Sequence, residues 1–452
     1  MSFCRKSWFQ FVCLAVLFSV VAGRTVLAGQ AYKANPKTLR SALSRLKAGD
    51  TLNLVPGNYT SGMSLSGLRG KPNAWITIQG PASGAPAVFV GRNRRNTINI
   101  RSCSYVAFKN LTLDGKGLSG IDGFKARTVS SKSPTHHIWI EGCTIKNHNG
   151  SQNTVGISTK TSTWGWIIRR NRVINAGTGL YLGNSDGHQP FVNGLIEYNL
   201  VKDPVGYCMQ IKYQKNRPKI KGMPEGPCTT IIRHNVFIKD DRRSPSGNRP
   251  NLLVGNFPDS GPGSQDRYEI YGNLLVHNPR ESLLQVAGGV TIHDNIFVDV
   301  AGNAIRVQSN RKHPVKHTSI YNNTIYAART AVSVGDRASV AEFMGNLVFA
   351  KTLTRGKVVK AKSNIFAPVG KASEYVNKPG KKPGQIDLYP LAGKCAVQPL
   401  DLSAFKKETE YDLDFNGKSK GTFTTAGAYA GSGKNPGWPL EADNKAAVPA
   451  KP

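Results

Sequence analysis

Several side chains in the middle of this chain suit the transfer of a proton beside an anionic group. Lys212 and His188 are candidate bases. Tyr181 and Tyr213 are candidate proton donors. Arg306 carries the planar guanidinium that binds a carboxylate through two parallel hydrogen bonds. Further side chains expected to contact a ligand are Lys160, Asn184, Asp186, Gln210, Lys215, Arg217, Asn256 and Arg311, with Asp259, Lys312 and His313 nearby.

The charge of this set decides which chemistry it favours. Only Asp186 and Asp259 are acidic, whereas glycoside hydrolysis needs a pair of carboxylates across the scissile bond. β-Elimination from a uronate needs a base for the C5 proton and a cation beside the substrate carboxylate, where negative charge develops. Crowding among cations lowers the pKa of a lysine toward the role of base. The set therefore favours elimination, with Lys215 and Arg217 joining Arg306 on substrate carboxylates.

Each of these residues also has a structural interpretation. Lys212 could be one more surface lysine of a basic protein, and His188 could brace its own turn. Arg306 could pair with a neighbouring loop. The adjacent His136 and His137 fit a loop pair better than a pair of metal ligands.

A short phrase that ends in asparagine recurs along the chain. It is Ile196-Glu197-Tyr198-Asn199 in one copy, and it returns at Asn235, Asn273, Asn295 and Asn323. Weaker copies centre on Asn110, Asn171, Asn346 and Asn364, and Gly142 takes the Asn place in another. From Asn171 onward the Asn-to-Asn spacings are 28, 36, 38, 22, 28, 23 and 18 residues. The alternation predicts a strand, the Asn is suited to turn the chain, and stacked amides can bond to one another.

A repeat of this size predicts an all-β fold, a right-handed parallel β-helix. A second strand recurs in each coil, and its alternate residues face outward. One outward column is Ser158, Tyr181, Gln210, Leu253, Gln285, Arg306 and Ser333, and the next is Lys160, Gly183, Lys212, Gly255, Ala287, Gln308 and Gly335. The longest insertions follow this strand, at residues 184–192, 213–227, 256–266 and 309–316. We therefore expect them to form the walls of one cleft on this sheet.

The start of the chain carries a helix signal followed by a strand motif. Asn35 is expected to cap a helix that begins at Pro36 and stops at Gly49, and this helix would cover the open end of the solenoid. Gly49-Asp50-Thr51 and Gly57-Asn58-Tyr59 follow. This opening resembles that of pectate-lyase-like β-helix proteins, including chondroitinase-B-like and alginate lyases. The resemblance covers roughly residues 36–370. It implies the fold and a polysaccharide bound along one sheet.

The chain departs from the motifs of these lyases at several places. Ile138 to Cys143 resembles the Trp-Ile-Asp-His strand of pectate lyases, with Gly142 where their His would be. Arg243 to Arg249 is one residue longer than their Arg-x-Pro-x-x-Arg motif. The sequence shows no acidic calcium cluster, so we expect no tight metal site and no cofactor, and weak Ca²⁺ binding stays an alternative.

The composition bears on location and partners. Residues 1–28 resemble a secretory signal, with Arg5 and Lys6 before an apolar run and Ala28 at the expected cleavage site; an uncleaved membrane anchor is the alternative. The formal net charge is +33, and removing Arg5, Lys6 and Arg24 with this segment leaves +30. A basic excess of this size favours a polyanionic partner. In an exported protein that partner is expected to be an acidic polysaccharide or an anionic envelope surface and not nucleic acid.

Five cysteines remain after residues 1–28, namely Cys103, Cys143, Cys208, Cys228 and Cys395. Cys208 and Cys228 bracket an insertion and are the best candidates for a disulfide, whereas buried free thiols throughout are the alternative. We assign residues 1–28 to the signal, 29–376 to the β-helix with its cap, and 377–452 to an irregular covering segment. The end, residues 440–452, is expected to be disordered.

The sequence thus predicts a secreted or periplasmic, monomeric protein that acts on an acidic polysaccharide. A lyase is the favoured activity. The alternatives are a non-catalytic binder of anionic glycan or envelope surface, a C5-epimerase and a glycoside hydrolase. No stretch after the signal is long and apolar enough to span a membrane.

Overall fold

The chain winds as a solenoid in which successive coils supply strands to three long parallel sheets. The computed structural model describes residues 29–127, 133–278, 280–299, 301–309 and 313–447. In one coil, strand Leu195–Glu197 is followed by Leu200–Lys202 and then by Met209–Ile211. This arrangement confirms the predicted parallel β-helix. The signal segment, Arg311 and Lys312 lie outside the described residues.

In chain order the strands are β1 Ala31–Ala34, β2 Thr51–Leu54, β3 Gly57–Tyr59, β4 Met63–Ser66, β5 Ile76–Gln79, β6 Ala87–Val90, β7 Ile98–Arg101, β8 Ser104–Lys109, β9 Thr112–Asp114, β10 Phe124–Arg127, β11 His136–Glu141, β12 Thr144–Lys146, β13 Val155–Ser158, β14 Thr163–Trp164, β15 Ile167–Arg169, β16 Arg172–Ile174, β17 Thr178–Leu182, β18 Phe191–Val192, β19 Leu195–Glu197, β20 Leu200–Lys202, β21 Met209–Ile211, β22 Thr229–Arg233, β23 Val236–Ile238, β24 Leu252–Val254, β25 Arg267–Tyr271, β26 Leu274–Val276, β27 Leu284–Val286, β28 Val290–His293, β29 Ile296–Asp299, β30 Ile305–Val307, β31 Thr318–Tyr321, β32 Thr324–Ala327, β33 Thr330–Val334, β34 Val340–Met344, β35 Leu347–Phe349, β36 Thr352–Arg355, β37 Val358–Lys362, β38 Ile365–Ala367, β39 Val376–Lys378 and β40 Asp387–Pro390. Helix α1 spans Leu39–Leu43, and two 3-10 helices span Val369–Glu374 and Ser403–Phe405.

All of these strands except β14, β18, β39 and β40 belong to three long sheets that enclose the core. Sheet A has the order β1-β2-β5-β8-β11-β15-β19-β22-β25-β28-β31-β34-β37, and sheet B has the order β3-β6-β9-β12-β16-β20-β23-β26-β29-β32-β35-β38. Sheet C has the order β4-β7-β10-β13-β17-β21-β24-β27-β30-β33-β36. Apolar residues that alternate along each strand, such as Ile157, Leu180 and Ile211 in sheet C, are fully buried inside the coils. Their burial is the main term that stabilises the solenoid.

A buried ladder of asparagine amides lies at the turn between sheets A and B. Each Nδ2 donates to the Oδ1 of the next asparagine at 2.9–3.0 Å from Asn171 through Asn199, Asn235, Asn273, Asn295, Asn323 and Asn346 to Asn364. The main-chain N–H of each donor asparagine bonds to the same oxygen. The predicted stacking of amides is therefore present.

The left-handed turn lies one residue earlier than the sequence predicted. Tyr198, His234 and Asp294, each directly before a ladder asparagine, have φ values of 55°, 54° and 52°. A left-handed conformation costs a non-glycine residue about 1–2 kcal/mol, which the ladder hydrogen bonds offset.

Because the left-handed residue precedes the ladder asparagine, Asn110 and Gly142, the two earliest expected members, do not belong to the ladder. Gly142 has a φ of 64° and occupies the left-handed place, and a Cβ there would lie 2.5 Å from Asn110 Oδ1. Cys143 takes the ladder place, and its N–H donates to Asn171 Oδ1 at 3.0 Å. Asn110, with a φ of 55°, also occupies the left-handed place.

The N-terminal cap is a shorter helix than expected. Asn35 Oδ1 accepts the N–H groups of Lys37 and Thr38 at 2.9 and 3.0 Å, so it does cap the chain where it turns. Residues 36–38 form turns, however, and helix α1 runs only from Leu39 to Leu43. Leu39 is the buried residue of this helix, and it packs on the core of the first coil.

The predicted Cys208–Cys228 disulfide is absent, and all five cysteines of the described residues are free thiols. Cys208 lies directly before β21 and points into the core, where its Sγ is 3.7 Å from Ile238 O. Cys228 lies on the loop side, beside a small cluster of Trp164, Val192 and Met223. The two side chains therefore belong to different layers.

The C-terminal segment lies along the ladder turns. Glu410 pairs with Arg233 at 2.6 Å and with His234 at 3.0 Å, and Lys420 donates to Asp294 at 2.6 Å. Disorder is expected from the sequence for residues 440–452, but the structure describes residues 440–447 and buries two of them, and residues 448–452 lie outside the described residues. Leu440 is fully buried, and the buried Lys445 donates to Gly272 O and Phe415 O. No helix in the described part of the chain is long and apolar enough to cross a membrane.

Candidate functional site

The outward face of sheet C carries the polar column that the repeat predicted. The register pairs Ser158 with Tyr181, Tyr181 with Gln210, and Gln210 with Leu253. Gln285, Arg306 and Ser333 follow in the same column. Adjacent parallel strands lie about 4.8 Å apart, so neighbouring members of the column can act on one ligand.

A polar cavity of about 170 Å³ opens over strands β13, β17 and β21 of this face. We call it the tyrosine cavity and define it by Lys160, Tyr181, Tyr207, Gln210, Lys212 and Arg249. Four of these residues were candidates from the sequence. Tyr207 and Arg249 were not.

Cations lie against the tyrosine rings in this cavity. Lys160 Nζ is 4.7 Å from the centroid of the Tyr181 ring. Lys212 Nζ is 5.0 Å from the centroid of the Tyr207 ring and donates to Tyr207 Oη at 3.3 Å. The Arg249 guanidinium is 5.5 Å from the centroid of the same ring. Such contacts fix the orientation of long basic side chains whose charge remains available to an anion.

Burial changes the proton affinity of three groups in the tyrosine cavity. It lowers the pKa of Lys160, and the nearby charge of Lys125 lowers it further. Burial also raises the pKa of Tyr181 and of Tyr207. The site therefore combines an amine that gives up its proton more readily than usual with phenols that keep theirs.

None of the described residues that line the tyrosine cavity is an Asp or a Glu. The nearest acid that influences Lys160 is Asp122, which pairs with Lys125 at 2.9 Å and opposes the lowering of the Lys160 pKa. Gln210 is only 4% exposed, and its Oε1 has no hydrogen-bond partner in the part of the chain that the structure describes. A buried amide oxygen without a partner is costly, and a ligand hydroxyl would satisfy it.

His188 and its neighbours lie on the loop after β17 and outside the cavity lining. His188 is exposed, and its Nε2 accepts from Lys215 Nζ at 2.7 Å. Asp186 Oδ1 accepts the His188 N–H at 2.9 Å, and Asn184 Nδ2 reaches Asp186 at 3.4 Å. These contacts stabilise a turn in the loop, which is the structural interpretation of His188 considered in the sequence analysis. From this loop only Ser185 reaches the cavity.

Three further candidates are buried in the protein. Arg217 is 7% exposed, pairs with Asp266 and donates to Gly226 O at 3.0 Å. Asn256 is 1% exposed and donates to Pro314 O at 3.3 Å. These contacts join the loops to one another, and the role of Arg217 and Asn256 as substrate contacts stays a prediction. Tyr213 is 5% exposed and stacks on His313 with ring centroids 5.7 Å apart, which leaves little room for a role as proton donor.

Arg306 lies on the expected face but away from the tyrosine cavity. It follows Gln210 by three steps of the sheet, or about 14 Å at the usual strand spacing. Its Nε donates to Gln308, which lies directly after the end of β30. The structure thus brings Lys160, Tyr181, Gln210 and Lys212 together and leaves Arg306 apart.

The insertions after the sheet C strands pack on one another, as expected for a common wall. Arg217 in the loop after β21 pairs with Asp266 in the loop after β24. His313, after β30, contacts Asp259 in the loop after β24 at 3.0 Å. Among the described residues, no three His, Cys, Asp or Glu side chains are placed to hold a metal ion.

Tyr207 and Arg249, which the sequence analysis did not name as candidates, have only weak sequence signals. Tyr207 precedes β21 by two residues and lies outside the alternating strand pattern. Arg249 ends the near match to Arg-x-Pro-x-x-Arg, the one motif fragment that does reach the cavity.

Comparison with solved structures finds parallel β-helix proteins. A lacto-N-biosidase from Eubacterium ramulus aligns over 75% of this chain and 68% of that chain, with a TM-score of 0.53 and 12% identity. An alginate lyase from Paenibacillus aligns over 75% and 99%, with a TM-score of 0.40 and 16% identity. A pectate lyase aligns over 93% and 97%, with a TM-score of 0.42 and 14% identity. Likeness at these identities shows the fold alone.

No protein-family model matches the sequence, and a search of curated proteins finds no match. The departures from lyase motifs at Gly142 and at residues 243–249 agree with that result. The chemistry of the site therefore has to be argued from its own side chains.

Proposed function

We propose that this protein is a polysaccharide lyase that cleaves a uronate-containing polysaccharide by β-elimination in the tyrosine cavity. The lining of that cavity carries the proposal. Two tyrosines with raised pKa values face three basic side chains, and the described lining holds no carboxylate. Glycoside hydrolysis, which depends on two carboxylates, is disfavoured for the same reason.

In the proposed reaction the neutral amine of Lys160 takes the C5 proton of a bound uronate. Lys212 and Arg249 bind the substrate carboxylate and stabilise the negative charge that develops as the C5–H bond breaks. The electron pair forms the C4–C5 double bond while the C4–O4 bond breaks. Tyr181 donates its proton to the leaving O4. The products are an unsaturated uronate and a shortened chain with a free hydroxyl.

Lys160 is preferred as the base to Lys212 and His188, the candidates from the sequence. Burial and the charge of Lys125 lower the pKa of Lys160, which favours its neutral form. Lys212 donates to Tyr207 and lies against its ring, an arrangement suited to a cation. His188 is outside the cavity lining and accepts from Lys215.

The protein is also proposed to act outside the cytoplasm, as a secreted or periplasmic enzyme. The signal pattern of residues 1–28 and the acidic polysaccharide expected as substrate support this location. Mass spectrometry of the exported protein should find an N-terminus at residue 29. A mass that retains residues 1–28 would favour the membrane anchor.

The activity is tested by incubating the mature protein with alginate, pectate, hyaluronan and chondroitin and following the ultraviolet absorbance of unsaturated uronates. Tyr181→Phe and Lys160→Gln should each lower kcat by about 10²- to 10⁴-fold, the usual contribution of one acid or base. Ser333→Ala, on the same outward column but outside the cavity, is the matched control and should retain activity.

Other outcomes separate the alternative activities. Salt-sensitive binding of these polymers without any absorbance change would leave a non-catalytic glycan binder. Deuterium uptake at C5 from heavy water, again without absorbance, would indicate a C5-epimerase. Unaltered kcat in Tyr181→Phe and Lys160→Gln would remove the tyrosine cavity as the site.

A further inference from the structure

A larger cavity of about 900 Å³ lies at the N-terminal end of sheet C, between α1, the loop after β6 and the outward ends of β7 and β10. We call it the basic cavity and define it by its seven cationic residues, Lys37, Arg40, Arg92, Arg94, Arg95, Arg101 and Arg127. The described residues that line it include no Asp or Glu. None of the seven forms an ion pair with the described residues, which include every Asp and Glu of the chain.

The fold holds these charges together against their mutual repulsion. Arg94 has a φ of 55°, in the left-handed region that costs a bulky residue about 1–2 kcal/mol. The turn is closed by the Arg95 N–H, which donates to Arg92 O at 3.3 Å. Arg92 Nε is buried and has no hydrogen-bond partner among the described residues. Like charges in one concave site are relieved by a bound anion, and strain retained at such a site is typical of ligand contacts.

The basic cavity and the tyrosine cavity open on the same face of the same sheet. In sheet C the order is β4, β7, β10, β13, β17 and β21; the first three strands border the basic cavity and the last three border the tyrosine cavity. Arg101 pairs in register with Arg127. Four strand steps separate β7 from β21, which corresponds to about 19 Å. One extended polymer lying across the strands would reach both.

We propose that the basic cavity is a distal binding site for the acidic polysaccharide, holding anionic groups of sugars several units away from the bond that is cleaved. This inference rests on the proposed function for the identity of the polymer. Ser61, Ser64, Asn96 and Asn99 line the cavity between the cations and suit the hydroxyl groups of a sugar. No described residue of the lining is aromatic, whereas single-stranded nucleic acid is usually held by stacking on aromatic rings.

The test compares chain lengths and charge-matched variants. Arg94→Gln/Arg95→Gln removes two charges from the basic cavity, and Lys381→Gln/Lys382→Gln removes two exposed charges from the C-terminal segment. Both are made on the Tyr181→Phe background, so that bound chains are not cleaved. Calorimetric titration then uses trisaccharides and decasaccharides of alginate and of pectate, together with a single-stranded oligonucleotide.

We expect Arg94→Gln/Arg95→Gln to weaken decasaccharide binding by about 2- to 30-fold, since an exposed ion pair contributes a factor of about 1.4 to 5. Trisaccharide binding, and all binding by the Lys381→Gln/Lys382→Gln control, should be unchanged. Equal losses in the two variants, equal affinity for short and long chains, or no binding of either decasaccharide would overturn the proposal. Tighter binding of the oligonucleotide than of either decasaccharide would assign the basic cavity to nucleic acid instead. If the protein is not a lyase, the absorbance of unsaturated uronates will be missing in the activity assay. The difference in decasaccharide binding between the two double variants would persist.

Discussion

Replacing Asn235 by alanine tests how the fold is held together. Its Oδ1 accepts from the main-chain N and from Nδ2 of Asn199, at 3.0 and 2.9 Å. Its Nδ2 donates to Ile196 O, Arg233 O and Asn273 Oδ1, at 2.9, 2.9 and 3.0 Å. Asn235 is fully buried, so water cannot replace these partners.

The expected loss in the free energy of unfolding depends on which polar groups around residue 235 keep a hydrogen-bond partner. Asn199 Nδ2 retains Ile168 O at 2.8 Å, and the Asn273 amide oxygen retains the main-chain N–H of residue 235 at 2.9 Å. The Asn199 main-chain N–H loses its acceptor in a dry site, which costs about 1–3 kcal/mol. The two N–H groups of the Asn235 amide also lose their bonds, at about 1 kcal/mol each, so Asn235→Ala should lower the free energy of unfolding by about 3–5 kcal/mol.

Urea unfolding followed by circular dichroism measures this loss as a shift of the midpoint. Asn364→Ala is the matched control, because Asn364 ends the ladder at a half-buried position where water can take over its bonds. It should cost about 1 kcal/mol. Similar losses for the two variants, or a loss below about 1 kcal/mol for Asn235→Ala, would refute the inference that each buried amide of the ladder contributes several kcal/mol to the stability of the coils.

Three more outcomes follow. Burial lowers the pKa of His148 from 6.5 to about 4, so the unfolded chain takes up a proton first and stability falls as the pH drops through that window; His148→Gln should flatten this decline in a series of melting temperatures. Arg217→Ala leaves Asp266 buried and unpaired and should cost about 3–5 kcal/mol in urea unfolding, whereas Arg217→Met with Asp266→Leu should recover most of it. Alkylation of the unfolded protein without reductant should modify all five remaining cysteines, and a Cys208–Cys228 disulfide would leave two unmodified.

The repeat made the fold predictable in advance. Alternating apolar residues and a recurrent asparagine are local features, and each coil repeats the same local solution. The same periodicity placed Tyr181, Gln210 and Lys212 on one outward face, because side chains alternate along a strand. An error of one residue in the ladder, at Gly142 and Asn110, arose because Asn suits both the amide position and the left-handed position before it.

The insertions were less predictable, since their conformations depend on partners far along the chain. Arg217 looked like a free cation in sequence, but Asp266 in another loop buries it. Cys208 and Cys228 looked like a pair across an insertion, but Cys208 lies fully buried directly before β21, with its Sγ against Ile238 O. Lys445 was assigned to a disordered end, yet it is buried against Gly272 and Phe415.

The amino-acid sequence alone determined the solenoid, its outward columns and the basic character of one face, because these follow from the period of the pattern and from side-chain charge. The tertiary structure alone decided which polar residues meet. Tyr207 and Arg249 join Lys160 and Tyr181 only because the approaches to strands β21 and β24 fold back over sheet C. The pKa of Lys160 is lowered only once those neighbours and Lys125 surround it. Burial and the approach of distant charges depend on the packed coils, and no local pattern in the chain encodes them.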